Sequence, residues 1–407
     1  PGARTPRPVR EESTFQMTDK RMANYMQHYP AISDLQKKAL RRIPHIAREY
    51  LESGTGDERA VPRNLERMAA VTLVPRLLKG ELKPAIATTL FGQQYNAPFG
   101  IAPVGLAGLM WPRSECLLAA TAATYRIPYC LSTVATHTPE TVGPIAGDMG
   151  WFQLYSPREP EVRRDILQRA RNAGFHTLAV TVDTPAPSRR ERVARAGLRM
   201  PPRITPRFIF DALCNPSWTI HTLAAGLPKL RIMEKYTRSA NMATTAAFVG
   251  RQIGGTLSWE YLKVVRDEWQ GPLIAKGIQH PTDAETAIEI GCDGIQVSNH
   301  GARQFDAAPA AIDLLPPIAA QVAGRTSVLF DSGIRSGLDI MRALALGADF
   351  VFLGRAFIYG VAALGKRGGD HVAEILIEDL KNNMVQMGCE KLADIRADQS
   401  ASFHPPA

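Results

Sequence analysis

Eight short apolar runs, separated by stretches of helical periodicity, constrain this sequence more than any other feature. They are FGIAPVG (99–105), PYCLST (128–133), WFQLY (151–155), HTLAVTVD (176–183), PLIAKG (272–277), DGIQVSN (293–299), SVLFDSG (327–333) and DFVFLG (349–354). Between most of them lie segments such as SECLLAATAATY, EVRRDILQRARNAG, PTDAETAIEIG and SGLDIMRALALGA, whose apolar residues recur every three or four positions and so share one helix face. Strands alternating with helices imply parallel βαβ units. Eight of them predict an α/β chain folded as a (β/α)8 TIM barrel.

The polar ends of these runs are informative. Ser132, Gln153, Tyr155, Thr181, Asp183, Lys276, Ser298, Asp331 and Gly354 lie at or near the C-terminal edge of a run. In a barrel those edges form a single face, the face on which active sites are built. Taken singly, each reads as a solvated strand end or a turn former; their succession argues for a site.

The spacing also marks domain organisation. Residues 1–16 lack the apolar run of a signal peptide and read as a leader or disordered tail. A single barrel domain is expected over 17–393, preceded by helices up to about residue 90, with 394–407 a loose C-terminal tail. IPHIAREYLESG, in the N-terminal part, reads as a helix with Gly54 as its C-terminal cap. The fourth and fifth runs stand far enough apart to require a long insertion after strand 4, placed at about 189–256. From 189 to 238 it carries eleven Lys or Arg against three acids, with Trp218, Ile220 and Leu223 nearby. Two readings follow, a solvated lid and a membrane-surface segment.

Composition adds exclusions. The chain of 407 residues is 45% hydrophobic and 21% charged, a balance compatible with a large buried core. Its five cysteines form no CxxC pair, so neither a disulfide framework nor a zinc site is expected, and a reducing cytoplasm fits. No metal is expected. No apolar stretch reaches the length of a spanning helix. A net charge of +9 suits an anionic ligand or surface, but nucleic acid is not the expected partner, because a basic binding module would leave the strand-end residues idle.

The last two runs end in DSGIRSG and LGRA, where Gly333, Arg335, Gly354 and Arg355 offer amides and guanidiniums at the place barrels commonly bind phosphate. Lys276 ends an apolar run, where a lysine needs an anionic partner; Asp331 is one candidate and an electron-rich cofactor atom another. In SNHGARQFD, His300 supplies an imidazole, a general base that titrates near neutrality. Asp183 is placed to orient it, while Arg303 and Arg190 suit a substrate carboxylate.

These motifs resemble the FMN-dependent L-2-hydroxy acid oxidase and dehydrogenase family. SNHGARQFD, LFDSGIRSG, TVDTP followed by SRRER, and WFQLY are similar to the family's signatures, and the likeness runs from about Ala31 to Cys389. The resemblance implies FMN as cofactor and oxidation of an L-2-hydroxy acid to the 2-keto acid. It implies catalytic roles for His300 as base, Asp183 as its partner, and Tyr50 and Tyr155 as donors to substrate oxygens, with Arg190 and Arg303 binding the carboxylate. For the cofactor it implies Ala102, Pro103, Val104 and Gly105 beside the ring, and Ser132, Gln153, Thr181, Lys276 and Ser298 along its polar edge. Asp331 then holds the ribityl chain, and Gly333, Arg335, Gly354 and Arg355 the phosphate. Val104, Ser188 and Val193 depart from the family's usual residues. Gly105 and Val134 leave space for a substrate such as lactate or an aryl acid such as mandelate, and Gly105 favours electron transfer to a quinone or other carrier over O2. The resemblance further implies a homotetramer, and likens the basic insertion to a segment that would hold a cytoplasmic protein peripherally on the inner face of the membrane. The alternatives are an O2-using oxidase or monooxygenase, and an FMN-dependent barrel isomerase.

Overall fold

In the computed structural model, which describes residues 25–198, 205–237 and 257–397, eight parallel strands close into a barrel in the order β10-β3-β4-β5-β6-β7-β8-β9. They are β3 (Phe99–Ile101), β4 (Tyr129–Ser132), β5 (Gly150–Leu154), β6 (Thr177–Thr181), β7 (Leu273–Ile278), β8 (Gly294–Val297), β9 (Ser327–Phe330) and β10 (Phe350–Leu353). All eight coincide with the expected runs. Nearly every residue in them is buried, because helices cover the outside of the sheet and side chains fill the inside; parallel strands therefore read as continuous rather than alternating apolar runs.

A two-stranded hairpin, β1 (Thr88–Leu90) and β2 (Gln93–Tyr95), closes the N-terminal end. Its turn residue Phe91 packs on Trp151 at 5.8 Å, and Tyr95 packs on Trp151 and Phe350. This hairpin was not expected from sequence; three-residue strands fall below the length at which alternation shows.

The helices before the barrel set up the opposite face. Helix Ile32–Arg42 packs on Arg355–Leu364, and helix Ala60–Ala69 on Ala311–Val322. Between them, helix His45–Glu52 delivers Tyr50 to the strand ends. Gly54 is not a left-handed cap as expected. It is required by close approach, since a Cβ there would stand 2.7 Å from Val61 and 2.8 Å from the Ala302 carbonyl oxygen.

One boundary is corrected. The chain stays packed past residue 393: in helix Leu392–Ala397, Ile395 is buried and Arg396 reaches Asp349 at 2.8 Å. Within the insertion, residues 205–237 form helices Pro206–Cys214, Pro216–Ala225 and Arg231–Glu234, anchored by Trp218, whose indole donates to the Leu109 carbonyl at 3.0 Å, and by Arg42 on Ser217. Trp218 is thus an internal anchor rather than part of a surface patch. The expected leader 1–16 and insertion residues 199–204 and 238–256 lie outside the described residues.

Phe91 seals the end of the barrel remote from the site. Its truncation to Ala is expected to cost about 2 kcal/mol, below the roughly 3–5 kcal/mol of a fully buried phenylalanine. Urea unfolding measures this; unchanged stability would contradict this placement.

Candidate active site

The C-terminal strand ends open onto one cleft with about 1180 Å³ of free space, its solvent-open part included. Of the site residues named from sequence, all line the cleft except Asp183, Ser132 and Ser298, which stand behind its wall. Val134, Ser188, Gln304 and Ser332 line it as well.

At one side, Asp183, His300 and Tyr155 form a line. Asp183 Oδ1 lies 3.0 Å from His300 Nδ1, and His300 Nε2 lies 3.3 Å from the Tyr155 hydroxyl. The Asp183 side chain is 3% exposed, and its Oδ2 has no partner. Asp183 has room because β7 bulges: the register shifts between Lys276 and Ile278, and Gly277 takes φ 110°. A Cβ at Gly277 would stand 2.6 Å from Asp183, so only glycine fits. The sequence reading missed this residue, although a glycine inside a strand run signals a bulge. Burial, followed by Asp183, raises the Tyr155 pKa, so its hydroxyl stays protonated.

Above this line three arginines crowd together. Arg190 donates to the Tyr50 carbonyl at 2.5 Å and to Ser53 at 3.1 Å, while its buried Nε has no partner. Arg303 donates to the Leu51 carbonyl at 2.8 Å, and both guanidiniums lie against the Tyr50 ring. Burial, then Arg190 and Arg355, pushes Arg303 well below the ordinary arginine pKa. Such crowding of like charge is unfavourable until an anion enters. Arg355 is pushed down to about 10 by burial and then by Arg335. It also straps the loop together, donating to the carbonyls of Leu51, Gly301 and Ser53.

In the floor, Lys276 donates to Asp331 at 2.6 Å and to Ser298 at 3.0 Å. Burial opposes charge on both ions, yet their mutual attraction outweighs it, holding Lys276 above and Asp331 below their ordinary values. Beside them, Ser132 donates to Gln153 Oε1 and Gln153 Nε2 to Thr181, both at 2.9 Å, chaining the ends of β4, β5 and β6. Tyr50 donates to the Gly105 carbonyl at 3.1 Å. A methyl group at Gly105 would come within 2.6 Å of Val134.

A profile described as FMN-dependent dehydrogenase matches residues 39–402, and the chain belongs to that family. It is an oxidoreductase with FMN as cofactor. Among curated relatives, L-lactate dehydrogenase of Pseudomonas paraeruginosa is 37% identical over 370 residues, covering 90% of this chain and 97% of the relative. That of Serratia proteamaculans is 38% identical with the same coverage. Among solved structures, the monotopic membrane protein (S)-mandelate dehydrogenase superposes with TM-score 0.86 at 32% identity, covering 91% of this chain and 98% of that one. A soluble mutant of the membrane-associated enzyme from Pseudomonas putida gives 0.79 at 31%, again over 91% and 98%.

The cleft suits that cofactor. A Cβ at Gly354 would meet Val104 at 3.3 Å and one at Gly333 would meet the Asn64 carbonyl oxygen at 3.1 Å; the glycine turns after β9 and β10 therefore present backbone rather than side chains to the cleft, and Arg335 lines the same cleft.

The loop carrying Val134 is held by a buried ion pair. Glu115 accepts from Thr136 N at 2.7 Å and pairs with His137 at 3.1 Å. Hydrogen bonds to Cys116 and Glu115 push His137 up to about 9. A folded pKa above the ordinary 6.5 means that the stabilisation is complete below 6.5 and is lost as pH rises through about 9. The stability difference between wild type and His137→Ala in urea should therefore be flat up to about pH 6 and shrink towards about pH 10. A difference independent of pH contradicts the pairing.

Proposed function

We propose that the chain oxidises an L-2-hydroxy acid, lactate-like or aryl, to the 2-keto acid, and passes the electrons to a quinone or similar carrier at a membrane surface. The observation that carries this reading is the Asp183–His300–Tyr155 line beneath the paired guanidiniums of Arg190 and Arg303. The names of the relatives agree with it.

In this reading Arg190 and Arg303 take the substrate carboxylate, relieving their mutual repulsion and fixing which face of C2 meets the cofactor. Bidentate pairing gives the orientation. Tyr50 and Tyr155, the latter held protonated by its buried surroundings, donate to substrate oxygens. His300 Nε2 then removes a proton, and Asp183 stabilises the imidazolium that results. FMN, when bound, supplies the acceptor for the two electrons. Lys276, fixed by Asp331 and Ser298, would present positive charge to the bound cofactor. Gly105 and Val134 bound the side of the cleft where the substrate's C2 substituent is accommodated, and a carrier is favoured over O2 because the similar L-lactate and (S)-mandelate proteins are named dehydrogenases.

The membrane contact rests on the helices of the insertion. Ile209, Phe210, Leu213, Ile220 and Leu223 are all at least half exposed there, Leu213 by 73%. Among the described residues no helix is long and apolar enough to cross a membrane, so the contact proposed is peripheral. Several basic residues of the segment are occupied elsewhere: Arg190 faces the cleft, Arg192 pairs with Glu49 and Glu58, and Lys235 with Asp165. The apolar side chains rather than the full positive charge thus carry the binding.

His300→Ala is expected to keep FMN and to slow flavin reduction by roughly 100- to 10,000-fold, the usual worth of a general base. Stopped-flow bleaching under nitrogen measures this, and near-normal rates remove His300 from the role. Arg190→Met and Arg303→Met should each weaken oxalate binding by about 1.5–3 kcal/mol, read by titrating the flavin spectrum; unchanged affinity removes the carboxylate assignment. Replacing Phe210 and Leu213 by Ser should weaken vesicle partition at least about tenfold, since a buried apolar side chain contributes roughly 1.5–3 kcal/mol. Failure of the wild-type protein to sediment with vesicles would overturn the membrane reading.

A further inference from the structure

The turn that carries His300 is held in a conformation its residues resist. His300, Gly301 and Ala302 have φ of 57°, 63° and 66° in succession. Left-handed backbone suits glycine, but a Cβ crowds the following carbonyl, so two of the three residues run against preference. Such backbone persists only where its surroundings over-determine it.

The surroundings can be traced bond by bond. His300 N donates to Ser298 Oγ at 3.0 Å and Gly301 N to Ser332 Oγ at 3.1 Å, both inside the barrel network. Ala302 N donates to the Asn299 carbonyl at 3.0 Å and also to Asn299 Oδ1 at 3.2 Å, and the second bond leads outside the barrel. Asn299 and Asn64, 3% and 4% exposed, exchange amide hydrogen bonds: Asn64 Nδ2 to Asn299 Oδ1 at 2.9 Å, and Asn299 Nδ2 to Asn64 Oδ1 at 2.7 Å. Asn64 Oδ1 also accepts from Ala311 N, and Asn299 Nδ2 reaches the Pro309 carbonyl, each at 3.2 Å. A single amide pair thus grips both the start and the end of segment 299–311.

We propose that Asn64, on a helix outside the barrel, is a positioning residue for catalysis. Through Asn299 it holds the left-handed turn that aims His300 Nε2 into the cleft. The claim rests on the reading of His300 as base. A merely structural role would lower stability and FMN content and leave the reduction rate of each loaded molecule unchanged; a positioning role lowers that rate.

The test compares Asn64→Ala, His300→Ala and wild type as holoenzymes, mixed anaerobically with the L-2-hydroxy acid that wild type reduces fastest. Asn64→Ala is expected to lower the limiting rate per bound flavin on the order of 10- to 100-fold, the effect of misplacing a reacting group by about an ångström, while oxalate affinity stays near wild type. Amide exchange in 299–311 should quicken, and adding Ala302→Gly should recover part of the rate, because glycine accepts the turn unaided. If Asn64→Ala fails to retain flavin, Asn64→Asp, of the same shape but without the donor to Asn299, is read in the same way. A wild-type limiting rate per bound flavin in the Asn64 variant, with His300→Ala slow, overturns the proposal alone. A wild-type rate in His300→Ala overturns the base assignment and this inference with it.

Discussion

The buried carboxylate of Asp331 is the interaction on which the rest of the site depends. It accepts from Lys276, Gln296, Ser298 and Ser332. An isolated ion in this position would be costly, and these four donors are what make it tolerable. The two serines then do double duty: Ser298 Oγ receives the amide of His300, and Ser332 Oγ those of Asn299 and Gly301. One charge at the end of β9 therefore fixes the cation in the cleft floor and supports the turn that bears the imidazole. Both groups are placed relative to each other before any ligand arrives, which is the condition for electrostatic preorganisation.

The opposite wall follows the reverse principle. Among the described residues, Arg190, Arg303 and Arg355 are brought together with no carboxylate in ion-pair contact, held instead by backbone carbonyls of residues 50–53 and 301. Carbonyls satisfy donors but only partly offset charge, so the cluster retains an appetite for an anion. Its neighbour Asp183 has the complementary deficit, a buried Oδ2 without a partner. Positive charge above and a buried carboxylate behind the imidazole are what a 2-hydroxy carboxylate, giving up a proton between them, would complement.

Much of this was legible in the sequence. The eight strands show because burial on both faces writes continuous apolar runs, and the site shows because barrel topology forces the ends of those runs together. Lys276 was readable as a buried cation needing a partner, and Asp331 is that partner. What escaped reading depends on contacts remote in sequence or on backbone shape. Asn64 looks like any polar residue in an amphipathic helix until the fold sets it against Asn299, and Gly277 matters only because Asp183 approaches it. The basic insertion read as a solvated lid or a membrane-surface segment from its excess of Lys and Arg, but Arg192 and Lys235 have acidic partners in other segments that no local window contains. The helix at 392–397 was read as a loose tail because its short amphipathic pattern is visible only once Ile395 meets the core.

The central claim, that this cleft takes a proton and two electrons from C2 of an L-2-hydroxy acid, is tested most directly by anaerobic stopped-flow spectroscopy with substrate deuterated at C2. The account predicts that the flavin's visible absorbance bleaches with an L-2-hydroxy acid and not with its D enantiomer, that deuterium slows the bleaching, and that the 2-keto acid appears in equal amount to the flavin reduced. Absence of bleaching with every L-2-hydroxy acid tried, lactate and mandelate included, in protein carrying its full complement of FMN, would contradict it.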